Sequence, residues 1–153
     1  MTMRLAICGL LLAASAAQAQ ITCSASASGA AFGPVDPLAA GSYDTTGTIT
    51  VSCSGLVGLF VNYSVALGPG SGTTSNRTLT AGPHQLAYNL YTSPARTIVW
   101  GDGTGGSSVV SGGALLTIGG FTQQHTVYGR VSSGQTTTAA GAYADTIVIT
   151  ITY

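Results

Sequence analysis

Apolar and polar residues alternate along much of the chain, and no stretch sustains the 3.6-residue spacing of an amphipathic helix. Ile49, Val51 and Cys53 face one way, with Thr48, Thr50 and Ser52 facing the other. Val61, Tyr63, Val65 and Leu67 make a second apolar row, and Leu86, Tyr88 and Leu90 a third. Ile98-Val99-Trp100 and Leu115-Leu116-Thr117-Ile118 are shorter candidates, and Val127, Gly129 and Val131 alternate with Thr126, Tyr128 and Arg130. The clearest row is the last, with Ile147, Ile149, Ile151 and Tyr153 on one face and Thr146, Val148, Thr150 and Thr152 on the other. Glycine, serine and proline separate these segments, as in Gly68-Pro69-Gly70-Ser71-Gly72, and residues 101–113 form a glycine-rich loop. The pattern predicts about seven short strands and a single all-β sandwich. No period of 20–50 residues repeats, so a solenoid or propeller is not expected.

Composition narrows the chemistry. The 153 residues include four arginines and four aspartates but no lysine and no glutamate, so only 5% are charged, against roughly 25% in an ordinary domain. Sixteen serines, 22 threonines and 22 glycines dominate the rest. Phosphate-neutralising nucleic-acid binding needs a basic face that this chain lacks. Charge-driven disorder needs high net charge and few apolar residues, and 45% of this chain is hydrophobic. Threonine suits the wet face of a pleated strand, where its branched side chain packs and its hydroxyl meets water.

Residues 1–19 read as a secretory signal peptide. Arg4 supplies the charge, residues 5–14 the apolar run, and Ala17-Gln18-Ala19 the small-x-small cleavage site. The run is too short to span a bilayer core of roughly 30 Å. Cys8 opens the run rather than following it, which argues against a lipoprotein. The mature domain is then residues 20–153, with Arg77, Arg96 and Arg130 against Asp36, Asp44, Asp102 and Asp145, a net of −1. Cleavage leaves Cys23 and Cys53 alone, and an oxidising compartment favours their pairing. Closing about 30 residues stabilises a fold by roughly 3–4 kcal/mol on the chain-entropy model.

The remaining motifs are weak. Gly101-Asp102-Gly103-Thr104-Gly105-Gly106 matches G-x-G-x-x-G, but a phosphate cradle needs a following helix and Ser107-Ser108-Val109-Val110 does not make one. One carboxylate is too few for a calcium loop. His84 is expected in a solvated loop, and His125 at the start of a strand; neither has a metal-ligand partner at suitable spacing. There is no G-x-S-x-G elbow and no H-E-x-x-H. No catalytic, cofactor or metal site is expected, and the protein does not read as an enzyme. Asn62-Tyr63-Ser64 and Asn76-Arg77-Thr78 match the glycosylation sequon, which matters only in a eukaryotic host. The three mature arginines are each expected to meet an aspartate or carbonyl at the sheet rim. Trp100 is expected in the core, with a sugar-stacking platform as the alternative.

Several segments in order resemble the spore coat protein U domain, the fold unit of archaic chaperone–usher pilus subunits. They are Cys23 followed by Phe32-Gly33; Gly47, Ile49, Val51 and Cys53; and Arg77-Thr78-Leu79. Leu86-Ala87-Tyr88-Asn89-Leu90-Tyr91, Trp100-Gly101-Asp102-Gly103 and Val127-Tyr128-Gly129-Arg130-Val131 follow. The series ends in Gly141, Tyr143 and Asp145 leading into the terminal alternation through Tyr153. The resemblance implies an incomplete immunoglobulin-like sandwich lacking one strand, which a partner supplies. The partners it implies are a periplasmic chaperone, an outer-membrane usher and neighbouring subunits, at the cell surface. Ile147, Ile149, Ile151 and Tyr153 would then line the partner-strand groove. Main-chain pairing gives such augmentation its affinity, and apolar side chains filling pockets give it specificity. Only Gln20, Ile21 and Thr22 separate the expected cleavage site from Cys23, too few for a donor strand of its own, so a tip or capping subunit is expected. The competing expectations are a self-complete carbohydrate- or surface-binding module and a coat or envelope structural protein.

Overall fold

The computed structural model describes residues 20–36, 40–135 and 138–153. The expected signal peptide and Cys8 lie outside the described residues. Among the described residues there are eight strands and no helix. They are β1 (Thr22–Ser28), β2 (Tyr43–Ser54), β3 (Phe60–Leu67), β4 (Arg77–Ala81), β5 (His84–Tyr91), β6 (Val110–Leu115), β7 (Phe121–Val131) and β8 (Ile149–Thr152). They form a five-stranded sheet in the order β1-β2-β7-β5-β4 and a three-stranded sheet in the order β6-β3-β8. Every pairing is antiparallel. The expected all-β sandwich is the observed fold.

The alternation builds the core directly. Ile49, Val51 and Cys53 of β2, Tyr88 and Leu90 of β5, and Val127 and Val131 of β7 form the inner face of the larger sheet. Val61, Tyr63, Val65 and Leu67 of β3 meet them from the smaller sheet. Trp100 is fully buried, and its indole N–H donates to the Val65 carbonyl at 2.8 Å. That burial removes the stacking-platform alternative, since no ring face is left for a sugar.

Three local expectations are corrected. Residues 98–100 form only isolated bridges, Tyr91 to Val99 and Trp100 to Ser108, rather than a strand. The predicted strand at residues 115–118 ends at Leu115, and Ile118 stands 92% exposed in the turn that follows. Conversely, the end of the predicted glycine-rich loop is strand β6, paired with β3 along Val110 to Leu115. Glycine is needed there because a Cβ on Gly112 would collide with the Tyr63 hydroxyl beneath it. The glycines that obscured the strand are what let it lie close to its neighbour.

Arg77 corrects a fourth expectation. It is not at a rim but wholly buried. Its guanidinium donates to the carbonyls of Leu67 (3.2 Å), Gly68 (2.8 and 3.0 Å) and Trp100 (2.9 Å), and to the Asn89 side-chain oxygen (2.7 Å). Asn89 in turn donates to the Thr74 and Ser75 carbonyls. The hub joins the end of β3, β4, β5 and the segment carrying Trp100. Arg130 and Arg96 behave as expected: both meet Asp44, at 2.6 and 3.2 Å, and hold its carboxyl below the usual range, with Arg130's hydrogen bond the main cause.

His125 sits in the middle of β7 rather than at the start of a strand. Its Nε2 lies 2.7 Å from the Tyr63 hydroxyl, and its ring packs edge-on to Tyr63 and Trp100. Burial pushes its pKa below the ordinary value of 6.5. The native fold therefore favours neutral imidazole, so this contribution to stability is present above the unfolded pKa and is lost as pH falls through the lower folded one. The thermal midpoint is expected to drop between about pH 7 and pH 5, and to drop less in His125→Gln. Parallel melting curves for the two proteins over that interval would show the idea wrong.

Candidate strand-accepting groove

The two sheets end, on one side of the sandwich, in strands with an unpaired edge. Among the described residues, β1 pairs only with β2, and β8 only with β3, through Ser64–Thr152 to Leu67–Ile149. Such edges carry free N–H and C=O groups ready to pair with another chain. β1 runs from the end of the sandwich that holds residue 20 toward the end that holds residues 29–36, and β8 runs the opposite way.

β1 is held by the disulfide. Cys23 and Cys53 are direct cross-strand partners, and their sulfurs are bonded at 2.05 Å. The expected pairing is therefore present, and it fastens an edge strand whose small residues bury little. Beyond β1 the chain turns inward. Phe32 packs edge-to-face on Tyr88 at 5.9 Å and lies over Gly129, where a Cβ would come within 2.9 Å of its ring.

The last segment is pinned at its start. Ala144 exchanges backbone hydrogen bonds with Thr80 of β4, in the larger sheet, whereas the Val148 carbonyl accepts from Gly68 beside the smaller one. Residues 145–148 thus cross between sheets. This is why β8 begins at Ile149 and not at residue 146, as the alternation suggested. Asp145 fixes the crossing: its carboxylate accepts from the Ser71 N–H and hydroxyl (2.9 Å each) and from the Tyr88 hydroxyl (2.7 Å). Burial, aided by this carboxylate, pushes the Tyr88 phenol well above its ordinary value.

Between the end of β1 and residues 145–149 an apolar slot of about 210 Å³ opens onto the core. Ile49, Leu67, Leu90 and Val127 form its floor, and Ile147 and Ile149 one wall. It continues into a wider pocket of about 830 Å³ between residues 30–36 and 138–145, with Leu79 and Leu86 at its base. Phe32, Leu79 and Asp145 border both. Of the residues expected in the groove, Ile147, Ile149 and Ile151 are half-buried on one face, and the first two line the slot. Tyr153 is 55% exposed past the end of β8 and does not line it. The β1 side, with Ala27, Gly29 and Ala30, was not expected, because a run of serines and alanines carries no apolar row.

No group of three or more His, Cys, Asp or Glu able to hold a metal occurs among the described residues, nor any helix long and apolar enough to cross a membrane. Asp102 is occupied locally: the Thr104 N–H and hydroxyl bond its Oδ1 and lower its pKa.

A disulfide-fastened edge strand, an opposed edge and a slot reaching the core define a two-sheet β-sandwich open along one side. A model of the Spore Coat Protein U domain matches residues 9–150. The chain belongs to the Spore Coat Protein U domain family. It is 32% identical over 133 residues to Protein U of Myxococcus xanthus, covering 80% of this chain and 70% of that one. Its fold is similar to a solved structure described as the CsuC–CsuE chaperone–tip adhesion subunit pre-assembly complex from the archaic chaperone–usher Csu pili of Acinetobacter baumannii. The TM-score is 0.59 at 19% identity, over 88% of this chain and 40% of that one, so this chain spans well under half the length of the chain it matches.

Proposed function

We propose that the protein is an exported structural subunit of a surface pilus, whose groove accepts a strand first from a periplasmic chaperone and then from a neighbouring subunit delivered at an outer-membrane usher. The observation that carries this reading is the slot between β1 and residues 145–149, where apolar core residues stay open beside two unpaired edges. A β-strand laid there would pair with β8 and send alternate side chains onto Ile49, Leu90 and Val127. The role is structural rather than enzymatic. The three residues between the expected cleavage site and Cys23 favour a tip or capping position over one in a repeating shaft.

The test is thermal unfolding of the mature protein with a peptide of alternating valine and threonine. Saturating peptide is expected to raise the midpoint, since a ligand at about 100 times its Kd stabilises the folded state by about 2.7 kcal/mol. A peptide of the same composition without alternation is expected to have no effect. Equal melting with both peptides overturns the groove. Relationship to Protein U and the family's description favour a second reading, a coat or envelope protein, which cell fractionation separates from a pilus-bound subunit.

A further inference from the structure

The chain contains no lysine, so its amino terminus supplies its only primary amine. With cleavage after Ala19, as the Ala17-Gln18-Ala19 site implies, that amine belongs to Gln20. Glutamine can consume its own α-amine, because its side-chain amide carbon lies where attack closes a five-membered ring. The structure leaves both groups free to meet. Gln20 is exposed and lies outside the β1 ladder, which begins with Thr22 opposite Ser54. The next residue is anchored, since the Ile21 side chain packs against the core cluster. Glycine at position 55 admits this end of the chain: a Cβ there would come within 3.1 Å of the Gln20 carbonyl oxygen and of the Ile21 Cα.

We propose that Gln20 is a modification site, at which the mature amino terminus closes to pyroglutamate. The inference rests on the expected cleavage after Ala19 and is independent of the groove. The lone pair of the α-nitrogen attacks Cδ of the same residue. The N–Cδ bond forms, the Cδ–Nε2 bond breaks, and the leaving nitrogen takes a proton from the α-amine and departs as ammonia. Nothing is oxidised or reduced, and no co-reactant is needed. An α-amine of ordinary pKa, about 8, is partly unprotonated at neutral pH, and holding nucleophile and carbonyl in one residue makes the step intramolecular.

Closure has two consequences. It turns an ammonium into a neutral amide, so a charge disappears from the end of the sandwich where Leu56, Val57, Leu59 and Phe60 stand exposed. An ammonium there would have to be desolvated whenever that end met an apolar surface. It also leaves the exported protein with no primary amine, and so with no group to form imines with aldehydes or reducing sugars.

The experiment expresses the whole precursor in a bacterium and recovers the exported protein. After overnight incubation at neutral pH, its amino-terminal peptide is sequenced by mass spectrometry. The protein, unfolded in guanidinium chloride, is also treated with an amine-reactive ester. The expected peptide begins at residue 20 and is lighter than its unmodified form by one ammonia. The unfolded protein is expected to take up no label, until a pyroglutamyl peptidase removes residue 20 and frees the Ile21 amine. Gln20→Ala is expected to fold with an unchanged thermal midpoint and to take up one label per chain. A wild-type peptide that begins at Gln20 and keeps its ammonia, with one label per chain, overturns the modification and leaves the cleavage site standing. A peptide that begins at any other residue overturns both.

Discussion

Arg77→Met is expected to lower the stability of the fold by about 3–5 kcal/mol, the loss seen when one partner of a buried charged network is removed. Methionine fills much of the same space, so the effect isolates the guanidinium. Its removal takes the guanidinium donors from the interior carbonyls of Leu67, Gly68 and Trp100, whereas the Asn89 oxygen keeps the Leu90 N–H. Each stranded acceptor costs about 1–3 kcal/mol, and partial relaxation keeps the total below their sum. Burial lowers the guanidinium's pKa, yet the group stays charged in any protein interior. Arg77→Lys is expected to fail as well, because three donors on one nitrogen cannot reproduce a planar fork that reaches three segments. Urea midpoints of the three proteins measure this. A lysine variant as stable as wild type would mean that charge alone, and not the fork, holds the hub.

The second large effect belongs to the disulfide. Replacing Cys23 and Cys53 together by alanine is expected to cost about 3–4 kcal/mol, from freeing a loop closed across a sequence separation of 30. The loss concentrates in β1, which among the described residues has a single neighbouring strand and has mostly exposed side chains. Amide exchange in Thr22–Ser28 is expected to rise before that of β2 or β7, and the stabilising effect of an alternating peptide to fall, because β1 walls the slot. Uniform acceleration across all strands would show instead that the bridge supports the whole sandwich and not this edge.

What could be read beforehand follows burial. β2, β3, β5 and β7 press one face on the core, and that one-sided demand writes alternation into the sequence. β1 buries little and β6 needs glycine for close approach, so neither leaves an apolar row. Arg77 was placed at a rim because its residue type favours water. The carbonyls that satisfy it come from residues 67, 68 and 100, brought together only by folding. In the groove, the isoleucines of the last segment were legible by their spacing. The opposite wall and the crossing at Asp145 were not, since both depend on how the sheets are joined rather than on local pattern.

The connectivity of the larger sheet has a consequence for how quickly this chain reaches its native state. Asp44 sits opposite Arg130, 86 positions away, and β2 from Tyr43 to Cys53 is matched to β7 from Val131 back to Phe121, all of it long-range pairing. Closing such long loops precedes any reward from the pairing, which places sheets of this kind among slow folders. β8 and β1 keep their open edges throughout that delay, when half-built sheets are most prone to stick to one another. A strand that occupied the slot early would therefore act on the folding chain as a shield and a template, with its greatest influence on yield rather than on the final equilibrium.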